Sequence, residues 1–316
     1  MKQKQEYEGK GAKIDSMLSI GIDIGATKAN TGIVTDTGEI LAAVKTPTGF
    51  GCDCRETIDR CMQSIRASMR NKGIDEKEIG FIGVGLPGTV DNEKGLAVYA
   101  PNLNWKDAPI LHYLQAHFHC SMAMTQDTRA AALAEYHFGA GKGLSDMACI
   151  AIGTGVGCGL IINGKIYNGS LGTAGEFGHM LIQLDGKLCN CGQRGCIEAY
   201  ASGRALNEEA LAAGFADARA LFEASKRGSA QAKEIVRRGI ISIGTGVVNL
   251  VNLLSVEAVV FSGGLCSQEE YIEGIITFVR EHAYSVLIQN KRFKLEVAKQ
   301  KEDAPMIGAA ILYKNK

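Results

Sequence analysis

The sequence predicts an α/β protein of two domains that face each other across a central cleft. Two stretches carry that prediction. LSIGIDIGATKANTGIVTDTGEILAAVKTP reads as a strand, a glycine turn, a second strand, a Thr37-Gly38 turn and a third strand. MACIAIGTGVGCGLIINGKIYNG repeats the plan, with Asn163-Gly164 as its turn. Two such meanders point to a duplicated fold in which each half presents a loop to the same crevice. Size agrees: 316 residues, 46% hydrophobic and poor in aromatics, supply enough chain for two buried cores.

Between the meanders, Ile58, Met62, Ile65 and Met69 recur on one face of a helix expected over 55–70. A strand, IGFIGVGLPG, follows, then the loop APNLNW, a helix over 107–117 and another from about 128 to 136. The second half continues through a loop-rich segment, 168–196, and helices up to Leu254. It closes with the strand VEAVVF, the triplet Ser262-Gly263-Gly264 and a short helix over 305–313. The domains are expected to span 18–133 and 134–304, with the final helix returning to the first.

Composition excludes several classes. Lys plus Arg and Asp plus Glu number 34 each, so the basic excess of a nucleic-acid binder is absent. No run approaches the roughly 18 apolar residues of a membrane span. The opening MKQKQEYEGKGAKIDS is charged and lacks the apolar run of a secretory leader, so a cytoplasmic setting is expected. Ten cysteines are then read as reduced thiols, with Cys61, Cys120, Cys149, Cys158 and Cys266 as ordinary small residues. Cys52-Asp53-Cys54 has no nearby partner and reads as incidental.

Three glycine loops carry the chemistry. In D-I-G-A-T-K, Asp23 ends a strand, Gly25 turns the backbone, and Thr27 and Lys28 follow. A tight glycine turn exposes backbone N–H groups that hold phosphate oxygens, and a strand-end carboxylate holds magnesium through water. Gly153-Thr154-Gly155-Val156-Gly157 offers amides and a hydroxyl again, and Gly263-Gly264 allows close approach to an adenine or ribose. Taken alone, each is also what an ordinary hairpin looks like. Neither the dinucleotide fingerprint nor the P-loop pattern fits.

With these loops in hand, the chain from about Leu18 to Leu312 resembles the ROK family (repressors, open reading frames and sugar kinases) of the actin-like ATPase superfamily. The resemblance implies an actin-like, ribonuclease H-like fold that binds ATP at Asp23, Gly25, Thr27, Lys28, Gly153, Thr154, Gly155, Gly157, Gly263 and Gly264. It further implies a homodimer and phosphorylation of a hexose at its 6-hydroxyl.

Asp127 lies where the strand-like CSMAMT meets the alanine-rich AAALAEYHF. By residue type it reads as a helix N-cap. The resemblance makes it the catalytic base, which a helix N-terminus would keep ionised. Most ROK kinases read N-D-A-N here, whereas this chain reads Gln126-Asp127-Thr128-Arg129. Gln126 keeps the amide on a longer arm, which bears on the sugar accepted. Glu176-Phe177-Gly178-His179 matches the family's E-x-G-H signature, so Glu176 and Glu198 are expected to bond sugar hydroxyls beside Gly88. Either glutamate alone would read as a solvated surface charge.

Cys189, Cys191 and Cys196 crowd into C-N-C-G-Q-R-G-C, with His179 upstream. Three thiolates and an imidazole make a closed tetrahedral set, the usual choice for structural zinc. Such a site leaves no place for a reactive water, so its expected role is to pin the loop between Glu176 and Glu198. The expected function is an ATP- and magnesium-dependent sugar kinase, glucose first, with N-acetylmannosamine, allose or fructose as alternative substrates. A sugar-responsive repressor would need about 50 residues for a DNA-binding domain ahead of the first strand. A zinc-ribbon interaction module would leave the phosphate loops without purpose.

Overall fold

The computed structural model describes residues 17–48 and 51–315. The charged opening stretch lies outside the described residues. Strands β1 (Leu18–Ile24), β2 (Lys28–Val34) and β3 (Ile40–Pro47) form the first meander. Helix α1 (Cys54–Lys72) starts at Asp53, whose carboxylate accepts from the Arg55 N–H, and stops at Gly73 in the left-handed region. Its Ile58, Cys61, Met62, Ile65 and Met69 are buried against the sheet. Full burial of such side chains contributes about 1.5–3 kcal/mol each.

Strand β4 (Ile79–Leu86) runs parallel to β1. Strands β5 (Thr89–Asp91), β6 (Leu96–Ala100) and β7 (Trp105–Ala108) then form a small separate sheet. The helix expected over 107–117 is therefore shorter: α2 occupies Ile110–Gln115. Asp107 belongs to β7 with φ of 50°, and Pro109 sets the helix start. Strand β8 (Ser121–Gln126) pairs in parallel with β4 and leads directly into α3 (Asp127–Phe138).

The second half holds β9 (Met147–Ile152), β10 (Val156–Ile162), β11 (Lys165–Ile166), α4 (Glu198–Ala201), α5 (Gly203–Ala212), α6 (Ala218–Lys226), α7 (Ala230–Leu254), β12 (Ala258–Ser262), α8 (Glu269–His282), α9 (Ser285–Gln289) and β13 (Lys294–Val297). Strand orders are β3-β2-β1-β4-β8 in one sheet and β11-β10-β9-β12-β13 in the other. In both, an antiparallel meander is extended by two parallel strands on the far side of its first strand. The duplication read from two glycine turns thus extends to whole sheets.

The chain returns to the first sheet through α10 (Ala304–Ala310), which packs on β1, β4 and α3. Glycine makes this approach feasible. A Cβ on Gly83 would stand 1.8 Å from the Ala309 carbonyl oxygen, and one on Gly308 1.7 Å from that of Ala130. The crossover is fastened by Glu135 of α3, fully buried, whose carboxylate accepts from the N–H groups of Ala140, Lys299 and Gln300. Three backbone donors satisfy a carboxylate that burial would otherwise make costly. No helix among the described residues is long and apolar enough to cross a membrane.

Candidate active site

Parallel strands leave their functional loops at their C-terminal ends, where open α/β sheets bind ligands. In the first sheet, Asp23 sits at the end of β1 opposite Gly85 of β4, and Gly85 lies opposite Thr125 of β8, two residues before Asp127. In the second sheet, Gly153–Gly155 follows β9 and Gly263-Gly264 follows β12. Helix α3 joins the two sets. A Cβ on Gly157 would lie 2.6 Å from the Thr128 methyl, so the residue after Asp127 touches the strand that leaves the second glycine loop.

Asp127 is the first residue of α3, and Gln126 holds the N-cap position without a side-chain capping bond. Asp127 Oδ1 accepts from the Thr128 N–H at 2.7 Å. Burial pushes its carboxyl upward and outweighs that bond, so the expectation that the helix N-terminus keeps it ionised meets the opposite balance. Asp23 is pushed up to about 7, first by burial, then by the charges of Asp127 and Asp303, against the pull of Lys28. Crowded carboxylates of this kind are relieved by a cation, which fits magnesium beside the first loop. Thr48 holds that loop in shape: its hydroxyl donates to the Gly25 carbonyl at 2.9 Å and its N–H to that of Thr27 at 3.2 Å.

The second loop is braced by Glu198. Its Oε2 accepts from the Val156 N–H at 2.9 Å, and Arg204 donates to Oε1 at 3.3 Å. The side chain read from sequence as a sugar ligand ties α4 to the second glycine loop. Thr154, Thr27 and Lys28 are exposed. Gly153 and Gly264 have open space where a Cβ would be, as backbone that meets a phosphate or nucleoside requires. Gly263 has φ of 92° and abuts the Ile152 backbone. Gly88 follows β4 with φ of 94°, packed under the Tyr99 carbonyl of the small sheet.

Glu176 and His179 flank a short turn, with Glu176 Oε2 3.9 Å from His179 Nε2. The other ring nitrogen, Nδ1, lies 3.7 Å from Cys189 Sγ, and Cys191 Sγ lies 3.7 Å from Cys196 Sγ. All four donor atoms fall within 4.8 Å of one another. Zn–S bonds of about 2.3 Å arranged tetrahedrally put sulfurs roughly 3.8 Å apart, so the donor set fits zinc in kind and in spacing. His179 thus turns one nitrogen to the thiols and the other toward Glu176.

Sequence reasoning did not assign roles to Arg129, Asn168, Thr48 and Arg204. The arginines lie in helices, where the type reads as a solvent-facing residue, and Thr48 carries no motif. Arg129 Nη1 donates to Asn168 Oδ1 at 3.1 Å, and Nη2 donates to the Gly172 and Ala174 carbonyls, both at 2.8 Å.

Two sheets of matching strand order, each with a glycine loop after its first strand, have the layout of the actin-like ATPase fold, which the solved structures below share. The chain belongs to the ROK family, whose profile matches residues 19–316. A glucokinase of Streptomyces coelicolor is 33% identical over 274 residues, which cover 81% of this chain and 84% of that protein. The ROK hexokinase of Thermus thermophilus has a TM-score of 0.83 at 30% identity, covering 94% of this chain and 97% of that one. A ROK family glucokinase from Streptomyces griseus, solved in complex with glucose and AMPPNP, has a TM-score of 0.75 at 31% identity, covering 93% and 98%.

Proposed function

We propose that this protein transfers the γ-phosphoryl group of ATP to glucose, giving glucose 6-phosphate, with Asp127 as general base and a structural zinc beside the sugar pocket. It is an ATP-dependent sugar kinase. The observation that carries the finer reading is the meeting of α3 with the second glycine loop at Gly157 and Thr128, one residue from Asp127. An alcohol held over Asp127 would stand between the two phosphate loops.

Phosphoryl transfer needs an aligned acceptor, charge neutralisation and a carboxylate to take the hydroxyl proton. Asp127 takes the proton, and the upward push on its carboxyl brings its basicity nearer to what neutral-pH transfer needs. Gln126, Glu176, His179 and Glu198, with Gly88 close by, orient the sugar. The backbone of Gly25, Gly153, Gly155 and Gly157 cradles phosphates with Thr27, Thr154 and Lys28, while Gly263-Gly264 admits the adenosine. Bound magnesium, held by Asp23 through water, would neutralise the phosphate oxygens. Zinc on His179, Cys189, Cys191 and Cys196 would tie Glu176 to the segment that leads to Glu198. The lobes 18–133 with 305–313, and 134–304, are proposed to close around both substrates. The proposed setting is the cytoplasm, as a homodimer, on the strength of the family.

The test is release of ADP on mixing with magnesium, ATP and a panel of aldoses, ketoses and N-acetylated sugars. Glucose is expected to give the highest kcat/KM. A best substrate of N-acetylmannosamine, allose or fructose would replace glucose, and no release with any sugar would remove the kinase.

Asp23 gives a pH prediction. Its folded value, about 7, stands above the ordinary 3.8, so the stability it contributes is complete below 3.8 and is lost as pH rises to 7. The protein without nucleotide should lose thermal stability over that range. Magnesium must displace the proton, so the rise in Tm on adding MgATP should be larger at high pH than at low. Equal increments on both sides of neutrality, read by thermal shift, would exclude Asp23 from the cation site.

A further inference from the structure

The segment between β11 and Glu176 has neither helix nor strand, and Gly169, Gly172 and Gly175 take φ of 68°, 73° and 92°. Chain of this kind has much freedom to lose on becoming ordered. What holds it is a side chain from α3. Arg129, two residues beyond Asp127, is only 4% exposed, and its guanidinium gathers three acceptors spread from Asn168 to Ala174. A planar fork is the group suited to that task, since an ammonium offers no fixed spread of donors and an asparagine at this position would be too short. Burial disfavours the charge on Arg129, and the Glu176 carboxylate counters that. The same guanidinium therefore binds the backbone of the loop and feels the carboxylate at its end.

We infer that Arg129 is a positioning residue for the sugar: it grips the 168–174 loop from the helix that begins at Asp127 and so sets Glu176 at a fixed height over the base. The inference rests on the sugar-kinase reading and deepens it. Sugar affinity should depend on this grip, while nucleotide binding and proton transfer, which use other residues, should not. The departure from N-D-A-N at this position then affects how the sugar loop is held and leaves the chemical step alone.

The experiment compares steady-state kinetics of the parent, Arg129→Ala, Arg129→Lys and Asn168→Ala with glucose and MgATP, alongside chymotrypsin cleavage at the exposed Leu171. Arg129→Ala should raise the glucose KM on the order of 30-fold, with kcat and the MgATP KM within about threefold. Arg129→Lys should fall between, and Leu171 should be cut faster in both. A folded Arg129→Ala protein with an unchanged glucose KM, or with kcat reduced as much as KM is raised, would overturn the inference. Should Arg129→Ala fail to fold, Asn168→Ala decides: a KM rise of about threefold supports the grip, and none refutes it. A parent without glucose-dependent ADP release would defeat the glucose reading by itself. Cleavage at Leu171 would then still judge the arginine, supporting the grip if Arg129→Ala is cut faster and refuting it if the rates match.

Discussion

Asp127→Asn should lower kcat by about 10³-fold or more while the glucose Kd stays within a few-fold, because removing a general base costs roughly 10²–10⁴ and asparagine keeps the shape. The Oδ1 that accepts from Thr128 is retained, so the start of α3 should stand. One further effect separates this variant from simple damage. The Asp127 charge contributes to the upward push on Asp23, so its removal should relieve that crowding and leave Tm equal or higher. Calorimetric glucose binding, thermal melting and ADP release together check the claim. A residual rate above about one per cent of the parent would mean that another group takes the proton.

Cys191→Ser should lose zinc and activity together. Cys191 is exposed while Cys189 and Cys196 are buried, so its replacement opens no core cavity, and any loss reports on the metal. With three ligands remaining, the tie between His179 and the thiol loop should slacken, and Glu176 would lose its neighbour at 3.9 Å. A fall in kcat/KM for glucose on the order of 10²-fold is expected, with metal content dropping in parallel. Elemental analysis beside the kinetics provides the check. Full activity in zinc-free protein would refute the mechanical role.

The parts of the fold legible in the sequence were those encoded locally. Each glycine turn sits between two short, mostly apolar runs, so both meanders could be read, and their repetition implied the second sheet. The cysteine cluster was legible for the same reason, since its three thiols crowd into residues 189–196. What escaped depends on distant partners. Thr89–Asp91 is too short to show periodicity and becomes a strand only by pairing with β6. Asp107 looked helical but sits at positive φ in a strand that Pro109 ends. Glu198 was read as a sugar ligand, and nothing near it in sequence announces its bond to Val156, 42 positions earlier. Arg129 sits in a helix whose composition says nothing of a loop far along the chain. Its bonds to Asn168, Gly172 and Ala174 are visible only in the folded chain.

The return of α10 to the first sheet has a consequence for biosynthesis. Val34, Ala131 and Ala134 are buried in one cluster with Ala304, Met306, Ile307 and Ala310, which the ribosome makes after every strand of both sheets. The N-terminal half therefore emerges with an uncovered apolar seam and cannot finish folding until α10 has been translated. Nascent chains stalled before residue 304 should be held by chaperones and cut readily by proteases, because the second sheet too shares its core with Ile311 and Leu312.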